Sequence, residues 1–411
     1  MERIAKFAKT IRNNWKKSVL GAVAIYYASA TAKEKYEINI LMRAACKEAA
    51  IYGEALLPIE RNPTVITVIL NPVANKRKAK QEFEKYCEPL LLLGGLQVDV
   101  VQTASEGNAK EIVETLRGTE AIIVAGGDGT LSETVTGLLR RNDQANMFPV
   151  GVLPLGRTNS IGNTLFPNGK GVQKVKQLIT ASMAIIKGNT VWKDAMKIEQ
   201  VTDESETPNR PIYAMASMEW GAFRDTLAKK DKYWFYGPLR EYAAYIFNGY
   251  KSSLNWNCSG TIKYTPPCVG CANCTAKRPE VKRKWFFVSS TEAAGQLDQT
   301  KILNPECLTS KELCFRTCDF KIKTQNVAMN HQIPALSIFL GRNSYSYTDF
   351  VSEGWRRIKT NSDPEPIFAR TIEITPKETD RDTVIEIDKE DFDMKPIKIT
   401  LMPKVIKLFC Q

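Results

Sequence analysis

Ala125-Gly126-Gly127-Asp128-Gly129-Thr130-Leu131 follows the apolar run Ala121 to Ala125 and precedes a helical pattern from about Leu131 to Arg141. A buried strand, a glycine-rich turn and a helix in that order mark a ligand-binding turn of an open parallel sheet, where ligands lie beyond the carboxyl ends of the strands. Glycines there let the backbone approach closely, and the amide N–H groups at the head of the helix can hold phosphate oxygens. Asp128 puts a carboxylate beside those phosphates, where it can order a metal ion or take a proton. Gly-Asp-Gly alone is a common turn. The doubled glycine and the threonine at a strand–helix junction carry more information than a lone glycine pattern.

Outward from this turn the chain alternates strand and helix. Val65, Ile66, Val68, Ile69 and Leu70 make a near-continuous apolar strand of the kind buried on both faces. Phe83, Tyr86, Cys87, Leu90 and Leu91 share a helical face over 79–93, ended by Gly94-Gly95. A strand at 96–101, a helix near 108–117 and a strand at 150–153 continue the series. Asn71-Pro72 closes the first strand, with Ala74-Asn75-Lys76-Arg77-Lys78 behind it, and Pro154-Leu155-Gly156-Arg157-Thr158-Asn159 closes the strand at 150–153. A parallel sheet brings all these strand ends to one cleft. Beyond about residue 195, short alternating strands take over at 282–289, 334–340, 370–376, 383–387 and 397–409, with one helical stretch near 232–250. The expected fold is α/β: an N-terminal parallel-sheet nucleotide-binding domain over 63–195, then a mainly antiparallel β-sandwich C-terminal domain over 196–411. A Cys-rich insertion at about 256–320 interrupts the second.

Lys and Arg exceed Asp and Glu by 57 to 45, which suits an anionic surface. No helix-turn-helix, RNA-binding or zinc-finger pattern supports nucleic acid as the partner. The single histidine, His331, excludes paired-histidine mechanisms and HExxH metal sites. Any proton acceptor must therefore be a carboxylate. Residues 1–35 read as a basic targeting or anchor segment: Ile4, Phe7, Ala8, Ile11 and Trp15 at helical spacing among lysines and arginines, then an apolar run from Val19 to Ala32. The run is short for a full span. The basic amphipathic start favours mitochondrial targeting and the apolar run favours retention at a membrane. Residues 36–62 read as a helical linker.

Seven of the ten cysteines fall between 258 and 318. Cys268, Cys271 and Cys274 form C-x-x-C-x-x-C, with Cys258 upstream as a fourth ligand for structural zinc. Disulfides among these and Cys314 and Cys318 are the other reading, and spacing does not choose between them.

Asn71-Pro72, the GGDGT loop with Glu133 in the following helix, and P-L-G-x-x-N together resemble the catalytic domain of the diacylglycerol, sphingosine and ceramide kinases. Trp220-Gly221 with Asp225, Lys232-Tyr233 with Gly237-Pro238-Leu239, and Ile387-Asp388-Lys389-Glu390 are similar to later runs of the same family. The resemblance implies that Gly126, Gly127, Asp128, Gly129 and Thr130 bind ATP, with Asn71, Glu133, Gly156, Thr158 and Asn159 completing the pocket and Mg2+ as cofactor. It implies Glu390 or Asp128 as catalytic base. The chain departs from the family pattern at Ala74-Asn75, Arg157, Ser160 and Lys389. Arg43 to Ala49 and the closing Leu401-Met402-Pro403-Lys404 narrow the resemblance to the acylglycerol branch. That branch implies transfer of the ATP γ-phosphoryl group to the hydroxyl of a monoacyl- or diacylglycerol, at the mitochondrial inner membrane facing the intermembrane space. The alternative from another class is a non-catalytic scaffold among the subunits of a carrier-import translocase. NAD kinases and phosphofructokinases share similar GGDG loops but account for neither the anchor nor the later runs.

Overall fold

The structure is a computed structural model. It describes residues 13–54, 64–141, 143, 148–201, 210–250, 254, 256–268, 271, 304, 307, 309–328, 333–360, 363–377 and 383–411. The expected strand at 282–289, Cys274 and His331 lie outside these residues.

β1 (Val65–Leu70), β2 (Gln97–Gln102), β3 (Ala121–Gly126) and β4 (Val150–Pro154) pair in parallel in the order β2-β1-β3-β4. Alternation along a strand divides each apolar run between two cores. Ile66, Val68, Leu70 and Ile123 face one layer of helices, while Ile69, Ile122 and Val124 face the other. The second layer contains α2 (Asn108–Thr115) and α3 (Asp128–Leu139), through Val113, Leu131, Val135 and Leu138. α4 (Ser160–Leu165) follows β4, and α5 (Val172–Lys187) covers the first layer with Leu178, Ala181 and Ile185. α3 begins at Asp128, three residues before the patterned start, because the glycine turn itself forms its first turn. The expected helix over 79–93 is broken by a single π turn at Phe83–Cys87, which keeps Phe83 and Cys87 buried.

The second half holds β5 (Thr190–Gln200), β6 (Ile212–Ala214), β7 (Ser217–Gly221), β8 (Cys258–Thr265), β9 (Lys311–Thr317), β10 (Asp319–Lys323), β11 (Leu336–Leu340), β12 (Ile367–Ala369), β13 (Thr371–Pro376), β14 (Val384–Ile387), β15 (Glu390–Asp393) and β16 (Ile397–Phe409). β16 joins the two halves. It pairs in parallel with β4 at Leu408↔Val150 and antiparallel with β5 and β13. One sheet therefore runs β2-β1-β3-β4-β16-β13-β8-β9, and a separate antiparallel sheet runs β12-β11-β10-β7-β14-β15. The two close over a core that includes Trp220, Phe320, Ile372 and Ile399. The helical stretch near 232–250 is a 3-10 run at Lys230–Leu239, kinked where Gly237 takes φ 55° ahead of Pro238, followed by α7 (Arg240–Asn248). α6 (Ala222–Ala228) precedes it, and α8 (Tyr347–Thr360) packs alongside α7.

α1 (Trp15–Gly53) is one continuous helix through both the expected anchor and the expected linker. Its second half docks by Ala45 and Ala49 against Leu90 and Met183. Its first half leaves Val19, Leu20, Val23, Ile25 and Tyr26 exposed. Among the described residues, no helix is long and apolar enough to cross a membrane. The uncharged stretch between Lys17 and Lys33 covers only about 22 Å at about 1.5 Å per residue, against a hydrocarbon core of about 30 Å.

Candidate active site

The carboxyl ends of β1 to β4 open into a cleft of about 410 Å³. Asn71–Asn75 line it after β1, Gly127–Thr130 after β3, and Gly156–Thr158 after β4. The sequence reading missed the loop after β2, Thr103 to Glu106, whose small and acidic residues complete the wall. Gly126 and Asn159 stand behind the lining. Gly156 N–H donates to Gly126 O (2.8 Å), and the Asn159 side chain spans Gly156 by accepting from its N–H (3.0 Å) and donating to its carbonyl (2.8 Å). Asp128 N–H donates to Thr158 O at 3.1 Å. The Cα atoms of Gly127 and Gly156 approach so closely that a methyl group on Gly156 would overlap Gly127. Asn71 Nδ2 donates to Thr130 Oγ1 (3.1 Å), tying the first strand end to the glycine turn. Asn75, Lys76 and Arg77 take φ of 50°, 57° and 66°, a left-handed run that non-glycine residues adopt at a cost in energy. It holds a basic turn beside the cleft.

The acids divide by what already binds them. Asp128 is buried, and its oxygens accept from Ser160 N–H (2.7 Å) and Ser160 Oγ–H (3.0 Å). Burial pushes its pKa up against those hydrogen bonds. Glu133 accepts from Gly107 N–H (2.8 Å) and Ala109 N–H (3.1 Å), which anchors the loop leading into α2. Glu390 enters the same cleft from β15, in the other half of the chain. A methyl group on Gly129 would lie 2.7 Å from Glu390 Oε1, so the carboxylate rests against the glycine turn. Burial pushes the Glu390 pKa up to about 8, with further help from the charges of Glu133, Glu106 and Asp388.

The turn that delivers Glu390 is a two-residue hairpin between β14 and β15. Asp388 and Lys389 both take positive φ, 45° and 72°, as primed hairpin turns require. Asp388 accepts from the N–H groups of Met215 (2.6 Å), Ala216 (2.9 Å) and Ser217 (2.8 Å). Burial, the largest influence, raises its pKa to about 6 against these hydrogen bonds. Lys389 pairs with Glu386 at 2.6 Å and Glu219 at 3.3 Å. It also lines two further cavities of about 310 and 460 Å³, which share Glu219, Arg224, Leu227 and Lys230. Arg224 pairs with Asp225 (3.1 Å), Glu386 (3.6 Å) and Asp391, and Arg157 of the loop after β4 pairs with Asp231. Of these pairs Arg157–Asp231 alone joins the two halves of the chain, and it has no local sequence signal. Trp220 belongs to the sandwich core, with no exposure.

The cysteines sort differently from their spacing. Cys258 lies on β8 in the sandwich core, with no exposure, away from the other candidates. The described group is Cys268, Cys271 and Cys307, and no short-range pattern points to the third member.

The family model for the diacylglycerol kinase catalytic domain matches residues 65–198, and that for the acylglycerol kinase C-terminal region matches 215–411. The chain is 35% identical over 422 residues to mitochondrial acylglycerol kinase of Mus musculus, covering 98% of this chain and 96% of that protein. It is 34% identical to the Homo sapiens counterpart, with the same coverage. A diacylglycerol kinase structure from Bacillus anthracis matches 85% of this chain and 97% of its own at a TM-score of 0.51 and 16% identity. That last likeness is one of fold alone.

Proposed function

Because the chain belongs to the acylglycerol kinase family and is an ATP-dependent lipid kinase, we propose that it phosphorylates the free hydroxyl of monoacyl- and diacylglycerol, with Glu390 as general base. The observation that carries this reading is the contact of Glu390 with Gly129. It brings an acid with a pKa near neutral to a turn suited to phosphate. Backbone N–H groups at the head of α3 and the loop after β4 hold the ATP phosphates, with Asn71 and Thr130 bracing the turn. Glu390 takes the proton from the lipid hydroxyl, a role suited to a base poised near working pH. Asp128 keeps the N-terminus of α4 against the turn, and Glu133 keeps the β2 loop in place.

Mg2+ suits this cleft. The mutual repulsion of Glu106, Glu133 and Glu390, which helps hold the Glu390 pKa high, is the charge imbalance that a divalent cation relieves. Glu106 would help to hold it beside the phosphates, leaving the Glu390 carboxylate free to take the proton. Bound there, it would neutralise charge on the transferring group.

The acceptor enters from the far side of Lys389. Directly after Lys230, which lines both further cavities, the chain exposes Trp234, Phe235 and Leu239, with Lys229, Lys232 and Arg240 close in sequence. Exposed aromatics among cations suit the headgroup level of a bilayer. The relatives' names support a mitochondrial location, and the exposed first half of α1 supports attachment to the inner membrane there. Removing residues 1–35 should release the protein from alkali-washed membranes while leaving phosphorylation of detergent-dispersed lipid intact. Continued pelleting would move the anchor elsewhere. The deciding assay is radiolabelled ATP with a panel of glycerolipids and sphingoid bases. Labelling of monoacyl- and diacylglycerol is expected, and labelling confined to sphingoid bases would overturn the acceptor.

A further inference from the structure

We propose that Cys268, Cys271 and Cys307 bind a zinc ion that clamps the root of the long connection between β8 and β9. The Sγ atoms of the three residues all lie within 4.8 Å of one another. Zinc thiolates at about 2.3 Å from a tetrahedral ion sit about 3.8 Å apart, so small side-chain rotations close the set. Cys271 and Cys307 are buried, Cys268 partly so. Asn304 Nδ2 donates to Cys268 Sγ at 3.4 Å, the kind of N–H···S contact that stabilises a thiolate ligand.

Topology explains why these residues meet. β8 and β9 form an antiparallel pair whose register ends at Tyr264↔Lys311. Cys268 follows Tyr264 by four residues and Cys307 precedes Lys311 by four, so the two arms leave the ladder symmetrically and arrive together. The three cysteines make a small cluster of their own, with no other apolar side chain in it among the described residues. Ion binding across the two arms would hold the root of this long connection closed. A disulfide joins two sulfurs and leaves the third against them, whereas a soft divalent ion uses all three. The C-x-x-C at 268–271 gives the two ligands from one arm and Cys307 brings the third from the other. One position remains for a further donor. β9 is the edge strand at the opposite end of the sheet from β2, so the clamp is structural and separate from phosphoryl transfer.

The test is zinc content of the full chain purified under reducing conditions, by elemental mass spectrometry. About one equivalent is expected in the unmodified protein. Cys271→Ser and Cys307→Ser should each lower the content at least about tenfold, while Cys258→Ala and Cys314→Ser retain it. Cys307→His, which keeps a ligand, should restore zinc and alter the thiolate-to-metal absorption of the cobalt-substituted protein. This arm covers the case in which the serine variant folds poorly. Chelation should speed protease cleavage beside Cys268 and Cys307 while β1 to β4 resist. A zinc-free protein, zinc that survives Cys307→Ser, or zinc lost in Cys258→Ala but not in Cys307→Ser would each overturn the site.

Discussion

The two rims of the cleft are held in place by different forces. On the parallel-sheet side the loops after β3 and β4 pack backbone on backbone, with Gly156 N–H on Gly126 O and the Cα of Gly127 against Gly156. The Asp128 carboxylate adds to them by accepting from Ser160, with no cation opposite it in that contact. On the hairpin side, charge positions the reacting group. Lys389 sits between Glu219 and Glu386, Arg224 gathers Asp225, Glu386 and Asp391, and Asp388 spends its carboxylate on three backbone N–H groups. The first rim has no room for an added atom. The second tolerates changes of shape but depends on its charges. One builds a cradle for an anion, and the other delivers to it an acid whose pKa is raised by burial and by Glu133 and Glu106 of the first rim.

The largest expected effect tests the charged rim. Glu390→Gln should lower kcat by about 100- to 10,000-fold with little change in the KM for ATP. Asp128→Asn should instead raise the KM for ATP along with lowering kcat, because it loosens the contact with Ser160. If Glu390→Gln keeps near-normal kcat and Asp128→Asn is dead, the base is Asp128. The backbone rim should respond through binding. Gly156→Ala puts a methyl group into Gly127 and should raise the KM for ATP by about tenfold or more, with a loss of about 1–3 kcal/mol in stability from overpacking. Normal ATP affinity in a stably folded Gly156→Ala would break the contrast between the rims.

A pH profile sharpens the comparison further. Glu390 acts deprotonated, so kcat/KM should rise about tenfold per pH unit below about 8 and level off above it, with that slope absent in Glu390→Gln. Folding responds with the opposite sense. The folded-state pKa stands above the ordinary value of 4.5, so the stability due to this group is full below about 4.5 and is lost as pH climbs through about 8. Glu390→Gln should therefore melt higher than the unmodified protein at pH 9, read as Tm. The effect on kcat should be smallest for Lys389→Gly, whose cost falls on stability. Glycine relieves a left-handed φ of 72° worth about 1 kcal/mol, but the mostly buried Glu219 and Glu386 lose a cation. Stability by chemical denaturation should fall by about 2–4 kcal/mol. A loss under about 1 kcal/mol would show that the hairpin does not depend on this charge.

Much of the site was legible because its signals are local. The glycine turn, Asn71-Pro72 and P-L-G announce themselves through residues a few positions apart, and an apolar strand before each places them on one sheet edge. Glu390 was legible only through the likeness of Asp388-Lys389-Glu390 to a family run. Other roles were not readable. Glu133 lines the cleft, but the hydrogen bonds its carboxylate accepts from Gly107 and Ala109, 26 and 24 residues earlier, carry no signal in its own neighbourhood. Asp128 looked free to serve a metal, and the two hydrogen bonds from Ser160 could be seen only once α4 was placed.

The sequence by itself determined the strand–helix alternation, the phosphate-suited turn and the need for a carboxylate base in a chain with one histidine. Each follows from side-chain period, backbone permissiveness or residue inventory, which are properties of neighbouring residues. Tertiary structure alone decided that β16 returns to lie beside β4, that Glu390 meets Gly129, and that Cys307 rather than Cys258 joins Cys268 and Cys271. Those outcomes depend on which strands pair across long stretches of chain. Pairing is selected by the burial of whole sheet faces, and no short window of sequence contains that information.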